Sequence, residues 1–295
     1  MQNELRGMGV ALVTPFTVDG AIDFDALKRL VEYQIANGTD YLVVLGTTAE
    51  TPTLTEQEKH DVIQTVVSVT KGRVPLVLGM GGNNTQQLIN TIRHSEFSGI
   101  DALLSVTPYY NKPSDEGIYR HFEAVSKVGM PIIVYNIAGR TGKNISTSLL
   151  CRIVELPNIA GVKEASGDIN QMMDVIAKIS RKKPEFSVLS GDDGLTLPLI
   201  AAGGDGVISV VSNIAPSLVT ELVTKAIEGK FDEARDIHYR LLPFFKAAFV
   251  DGNPTSIKYA MNYKGLPAGG LRLPLVEVHE EAKKIIEKAL KECNL

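Results

Sequence analysis

Tyr41-Leu42-Val43-Val44-Leu45, then Thr55-Glu56-Gln57-Glu58, then Pro75-Leu76-Val77-Leu78-Gly79 is the stretch that decides the fold. The two outer runs are apolar at consecutive positions, so a strand built from either must be covered on both faces, as in a parallel sheet. Between them, Thr55 with Glu58 three residues on forms a capping box, which opens a helix. Strand, helix and parallel strand make one crossover unit. Working outward, Gly9–Val13, Ala102–Val106, Ile132–Tyr135, Ala160–Lys163, Ser187–Leu189 and Val207–Val211 read as further strands of the same kind. A first helix is expected from Asp23 to Asn37-Gly38. Eight such units end near residue 228, the arithmetic of a (β/α)8 TIM barrel, with a doubly wound sheet as the runner-up.

Beyond that point the pattern is helical only. Segments Phe231–Phe249, Pro254–Tyr263 and Val276–Lys291 read as helices, the last amphipathic through Val278, Ala282, Ile285, Ile286, Ala289 and Leu290. The chain therefore divides into a catalytic barrel, residues 1–228, and a C-terminal helical extension, residues 229–295. No low-complexity linker separates the two, so the extension is expected to dock on the barrel or on a neighbouring subunit.

Composition excludes several function classes. The chain has 295 residues, 44% hydrophobic and 22% charged, with a formal net charge of −4, typical of a globular protein. Charges of both signs are dispersed, which leaves no footprint for nucleic acid. The apolar run Met8–Val13 is too short for a signal segment, has Glu4 and Arg6 before it, and leads into Thr14-Pro15-Phe16; no run is long enough to span a membrane. A cytoplasmic location is expected. Cys151 and Cys293 lack metal or redox spacing, and His60, His94, His121, His238 and His279 are scattered and read as surface or helix-flank residues. Any chemistry must come from Lys, Tyr, Thr or carboxylates.

Two glycine-rich stretches carry little. Gly79-Met80-Gly81-Gly82-Asn83-Asn84 has Asn84 where a dinucleotide fingerprint needs a small residue. Gly203-Gly204-Asp205-Gly206 precedes the eighth strand and so belongs to the stability face of a barrel. The opposite face, where strands end, is unusually polar: Thr14, Gly46-Thr47-Thr48-Ala49-Glu50, Thr107-Pro108-Tyr109-Tyr110-Asn111, Tyr135-Asn136, Lys163-Glu164 and Gly191-Asp192-Asp193 converge on one mouth.

Lys163 is the centre of that set. Strand alternation places it on one face with Ile159 and Gly161, and Glu164 on the other, so the two are not a simple ion pair. A lysine in an apolar strand is either a structural residue bonded to a distant carboxylate or a Schiff-base nucleophile whose amine is kept neutral by desolvation. The same mouth offers Thr47 and Thr48 as an uncharged anion seat and Tyr135, linked to Thr47, as a proton shuttle. Arg140 offers a bidentate grip on a second carboxylate. Taken singly each of these also reads as a turn, cap or packing residue; together at one mouth they favour catalysis on a keto acid.

Gly46-Thr47-Thr48-Ala49-Glu50, Val106-Thr107-Pro108-Tyr109-Tyr110-Asn111-Lys112-Pro113, Tyr135-Asn136 with Arg140-Thr141-Gly142, Gly161-Val162-Lys163-Glu164-Ala165-Ser166-Gly167 and Leu189-Ser190-Gly191-Asp192-Asp193 closely resemble the dihydrodipicolinate synthase (4-hydroxy-tetrahydrodipicolinate synthase) family, among the pyruvate-dependent lyases and aldolases. The resemblance covers essentially the whole chain. It implies a homotetramer, a dimer of dimers, that condenses pyruvate with L-aspartate 4-semialdehyde in lysine biosynthesis without metal or organic cofactor. By the same resemblance Lys163 forms the imine, and Tyr135, Thr47 and a Tyr110 from the neighbouring subunit relay protons. Thr48 binds the pyruvate carboxylate, Arg140 the semialdehyde carboxylate, and Gly191 and Ile208 line the pyruvate pocket. A sister aldolase of the N-acetylneuraminate lyase or 2-keto-3-deoxy sugar acid type is the alternative; a catalytically dead binding barrel is a more distant rival.

The chain departs from the family pattern in three places. Ala49 replaces a glycine. Ile137-Ala138-Gly139 replaces a segment that normally carries proline, so more freedom is expected in the loop holding Arg140. At the candidate lysine-regulatory pocket Asn83 and Tyr109 are retained, but Lys59 and Gln87 stand where a histidine and a glutamate are frequent. A cation there and a lost carboxylate disfavour a cationic ligand, so weak or absent inhibition by lysine is expected.

Overall fold

The computed structural model describes residues 5–295; Glu4 lies outside them. Eight parallel strands run in sequence order around a closed barrel: β1 (Gly7–Ala11), β2 (Tyr41–Val44), β3 (Leu76–Gly79), β4 (Ala102–Val106), β5 (Ile132–Asn136), β6 (Ile159–Glu164), β7 (Ser187–Ser190) and β8 (Gly206–Ser209). Closure is made by β8 against β1, with Gly7 opposite Gly206 and Val10 opposite Ser209. Around the barrel lie α1 (Phe24–Ala36), α2 (Glu56–Thr70), α3 (Thr85–His94), α4 (Asp115–Ser126), the single turn α5 (Ala138–Thr141), α6 (Thr147–Ile153), α7 (Ile169–Val175), α8 (Thr196–Ala201) and α9 (Pro216–Ile227). The fold is the expected TIM barrel; both faces of each strand are covered, which is why the strands read as unbroken apolar runs.

Local chemistry sets the element ends. Asp23 caps α1 by accepting from Ala26 N at 2.8 Å, and Thr55 and Glu58 form the capping box of α2. Strand ends differ from the apolar runs by one or two residues because hydrogen bonding, not apolarity, ends a strand. β1 stops at Ala11, and the Val13 amide instead donates to Asn213 Oδ1 at 3.2 Å. β2 stops where Leu45 turns left-handed (φ 55°), carrying its carbonyl so close to Gly79 that a Cβ there would lie 2.2 Å from it. The glycine at 79 is thus required by backbone approach, and Asn84 caps α3. At the opposite face, Asp40, Asp101 and Asp205 accept from the amides of Met8, Leu76 and Val188 at 2.7–2.8 Å. The Gly203–Gly206 turn holds Asp205 there, and its last glycine is required because a Cβ at Gly206 would lie 1.9 Å from the Gly7 carbonyl oxygen.

The C-terminal helices are α10 (Phe231–Ala247), α11 (Thr255–Tyr263) and α12 (Glu280–Glu292). α10 packs on α9, and α12 on α10 and α11. The sequence suggests that α12 starts at Val276; it starts at Glu280, because His279 is extended and its ring Nδ1 accepts from Ala282 N at 3.2 Å. α11 docks on the mouth of the barrel through Lys258, whose amine reaches Thr14 O after β1 and Glu50 after β2.

Candidate active site

β5 and β6 pair so that Tyr135 stands opposite Lys163 and Asn136 opposite Glu164. Lys163 is 6% exposed, with its Nζ 4.2 Å from the centroid of the Tyr135 ring. Burial drives its pKa down to about 7; the field of buried Asp193 opposes the shift, and that of Arg140 adds to it. Burial likewise pushes the Tyr135 phenol up to about 12, against the pull of Arg140. Gly191 makes room for the lysine: a Cβ there would lie 3.0 Å from Lys163 Cε and 2.7 Å from Ala165 Cβ. Ile208 is buried in β8.

Glu164 does not neutralise Lys163. It faces the other side of β6, where it accepts from Asn136 Nδ2 at 3.0 Å, Gln171 Nε2 at 3.0 Å and Ser166 N at 2.7 Å. Asp193 is fully buried and held by Ser209 Oγ and the Val210 and Val211 amides; desolvation raises its pKa to about 6. Among the described residues no carboxylate forms an ion pair with Lys163.

A second buried lysine makes the contrast. Lys258 is 1% exposed, and its three N–H donors all find acceptors: Glu50 Oε1 at 2.7 Å, Thr14 O at 2.9 Å and Gly270 O at 2.5 Å. One buried amine is fully engaged and the other lies free against an aromatic face.

The turn after β2 places Thr47 and Thr48. Glu50 closes it in the left-handed conformation (φ 55°), held by Lys258 and by the Arg272 amide at 3.0 Å. Ala49 is accommodated there, buried. Thr48 is 2% exposed, and its hydroxyl oxygen accepts from Asn253 Nδ2 at 3.0 Å. Arg140 donates to the Asn253 carbonyl at 3.0 Å. Its loop is braced rather than free: α5 is closed by Gly142 (φ 70°) and by Thr141, whose single hydroxyl proton lies within reach of the Ile137 and Lys143 carbonyls, at 3.0 and 2.9 Å. The hydrogen bonds of the described residues do not include the Tyr135–Thr47 link expected from sequence.

Other expected residues fall elsewhere. Tyr110 is 90% exposed and left-handed (φ 71°), on the loop after β4. Asn83 and Tyr109 are brought together by a 3.1 Å bond from Asn83 Nδ2 to Tyr109 O. Lys59 pairs with Glu56 at 2.7 Å on its own helix, and Gln87 is exposed on α3. His121 and His238 are buried, not on the surface as the sequence suggests, because they point inward from α4 and α10; burial takes His121 down to about 4. Asn253, Lys258 and Arg272 escape sequence reasoning altogether. Only Lys258 leaves a signal, a lysine sharing a helix face with Pro254 and Met261.

The family model for the dihydrodipicolinate synthetase family matches residues 4–293. The chain belongs to that family. It is 49% identical to the 4-hydroxy-tetrahydrodipicolinate synthase of Parabacteroides distasonis over 293 residues, 99% of this chain and 98% of that one. The crystal structure of the dihydrodipicolinate synthase of Thermotoga maritima superposes with a TM-score of 0.95 at 40% identity, covering 99% of each chain. The chloride-inhibited dihydrodipicolinate synthase of Acinetobacter baumannii, solved in complex with pyruvate, gives a TM-score of 0.94 at 37% identity over 98% of this chain and 99% of that one.

Proposed function

We infer that this protein is a class I condensing lyase that joins pyruvate to L-aspartate 4-semialdehyde and yields 4-hydroxy-tetrahydrodipicolinate, the first committed step toward diaminopimelate and lysine. The observation that carries the reading is the contrast between the two buried lysines. Lys163, lowered by burial to about 7, is roughly half neutral at pH 7 with no acceptor on its amine, whereas Lys258, also lowered by burial, is held by three acceptors.

The Lys163 amine attacks the keto carbon of pyruvate, water leaves, and an iminium forms. Loss of a methyl proton gives an enamine whose carbon attacks the aldehyde of the semialdehyde. The acceptor's own amine then displaces Lys163 and closes the ring, which returns the lysine without any metal or organic cofactor. Tyr135 carries protons beside the imine, together with Thr47 and a Tyr110 supplied by the neighbouring subunit. Thr48 seats the pyruvate carboxylate, and the Gly191 and Ile208 backbones line its pocket. Arg140 grips the carboxylate of the semialdehyde, a role that a sugar acceptor would not call for, and so weighs against the sister-aldolase reading.

We place the catalytic unit in residues 1–228 and the helical extension in 229–295. The exposed, left-handed Tyr110 supports an assembly of at least two chains in which it enters a neighbour's site, and the family resemblance extends this to a homotetramer, a dimer of dimers. The candidate lysine pocket, with Asn83, Tyr109, Lys59 and Gln87, is read as poorly suited to a cationic inhibitor. Among the described residues no helix is long and apolar enough to cross a membrane, and we place the enzyme in the cytoplasm.

Borohydride added in the presence of pyruvate tests the chemistry, and turnover with the semialdehyde tests the acceptor. A reduced pyruvate adduct on Lys163, absent in Lys163→Ala, is expected, with semialdehyde turnover lost in the same variant. A wild-type protein that gains no adduct would overturn the reading; one that gains it but does not turn over the semialdehyde would be a sister aldolase.

A further inference from the structure

Asn253 belongs to the extension, yet it touches both candidate carboxylate-binding side chains. Its Nδ2 donates to Thr48 Oγ1 and its carbonyl accepts from Arg140, both at 3.0 Å. We propose that Asn253 is a positioning residue that holds the Thr48 hydroxyl with its proton free for the keto-acid carboxylate and keeps Thr48 and Arg140 at one spacing. This rests on the reading of Thr48 and Arg140 given above.

A hydroxyl has one proton and two acceptor lone pairs. Because an amide N–H already occupies one lone pair of Thr48, the hydroxyl proton is not spent on Asn253 and remains a donor. The direction of that bond is what matters. Asn253 is 8% exposed, and its own Oδ1 is buried with no partner among the described residues. An unmet buried acceptor is costly, and the reversed amide would meet it by taking the Thr48 proton; the Asn253→Asp variant below imposes that reversed bond and separates the two orientations. The support is rigid, since five residues on in the same segment Lys258 is pinned to Glu50, in the same turn as Thr48. The extension therefore grips this turn at two points and the Arg140 loop at a third.

Steady-state kinetics on the full chain test this with Asn253→Ala, Asn253→Asp, Thr48→Val and the double variant Thr48→Val/Asn253→Ala. Loss of one such bond raises KM for pyruvate about tenfold in Asn253→Ala, with kcat within about threefold and little change in KM for the semialdehyde, because Arg140 bonds the backbone carbonyl, which every residue at 253 keeps. Asn253→Asp keeps the shape but inverts the bond: its carboxylate accepts the Thr48 proton and repels the substrate's charge, so its pyruvate KM rises beyond that of Asn253→Ala. Thr48→Val alone reproduces the pyruvate effect, and on that background Asn253→Ala adds less than about twofold. A purely packing role predicts the opposite order, with the isosteric Asp milder than Ala; that order, additive effects, or an unchanged pyruvate KM overturns the proposal. Thr48→Val decides the point from the other side should an Asn253 variant fail to fold. A wild type that forms no pyruvate adduct sinks the functional reading itself, whereas a wild type that turns over normally beside indifferent variants sinks only the role of Asn253.

Discussion

Replacing Lys163 by methionine is expected to stabilise the protein, by an amount that shrinks as pH rises. A lysine amine ordinarily titrates at 10.5, and burial takes this one to about 7. Each tenfold loss of proton affinity is worth ~1.36 kcal/mol. Below pH 7 both native and unfolded chains carry the proton, and the native state bears the whole penalty, about 5 kcal/mol by that conversion. Between pH 7 and 10.5 the unfolded chain holds a proton that the native one has released, so wild-type stability climbs with pH and the penalty fades. The same relation leaves about 4 kcal/mol at pH 7 and about 2 kcal/mol at pH 9. Methionine offers a similar unbranched stem without the charge, so the variant lacks the penalty. Urea unfolding of both proteins at matched concentration, at pH 7 and at pH 9, measures the gain. A variant less stable than wild type at both values, or a gain that does not shrink, would refute the claim that desolvation governs this lysine. With Lys163 as the proposed nucleophile, such a gain in stability comes at the expense of activity.

Further outcomes follow from the site and its supports. Glu50→Gln leaves Lys258 buried without its carboxylate and should cost about 3–5 kcal/mol in urea unfolding, part of which returns in Glu50→Gln/Lys258→Met. The Arg272 guanidinium holds Glu58 at about 2 against an ordinary 4.5, a contribution present above pH 4.5 and lost as pH falls toward 2. The Tm gap between wild type and Arg272→Ala should therefore narrow between pH 6 and pH 3, and a constant gap would assign the arginine to packing alone. Arg140→Ala should raise KM for the semialdehyde at least tenfold while pyruvate adduct formation persists, the loss expected for a charge-assisted contact. Lysine should inhibit weakly or not at all; submillimolar inhibition in a steady-state assay would contradict the reading of Lys59 and Gln87.

The barrel is legible in the sequence because burial of both faces leaves a local trace, an apolar run bounded by helix caps. Capping is local too, and Asp23, Thr55 and Glu58 act as the chain pattern suggests. Strand ends are less legible: β1 ends where Val13 finds Asn213, 200 residues away, and β2 where Leu45 turns left-handed. The site divides the same way. Lys163, Tyr135, Thr48 and Arg140 sit at strand exits, which alternation and chain order locate. Asn253, Lys258 and Arg272 act on the turn after β2 across separations of 205 to 222 residues, and no local pattern encodes such a partner.

The two buried lysines explain why the extension matters to a barrel whose own strands carry the proposed reactive groups. A barrel exit is a loop, and loops carry function only when something rigid positions them. Here the rigid element is α11, which spends a fully satisfied lysine on Glu50 so that the turn bearing Thr47 and Thr48 cannot drift from Lys163. Exchanging the roles would defeat both ends: a free Lys258 would leave the turn unanchored, and an ion-paired Lys163 would keep its proton and lose its nucleophilicity. On the proposed reading, the same residue type is thus structural in one place and reactive in the other according to the number of acceptors the fold supplies.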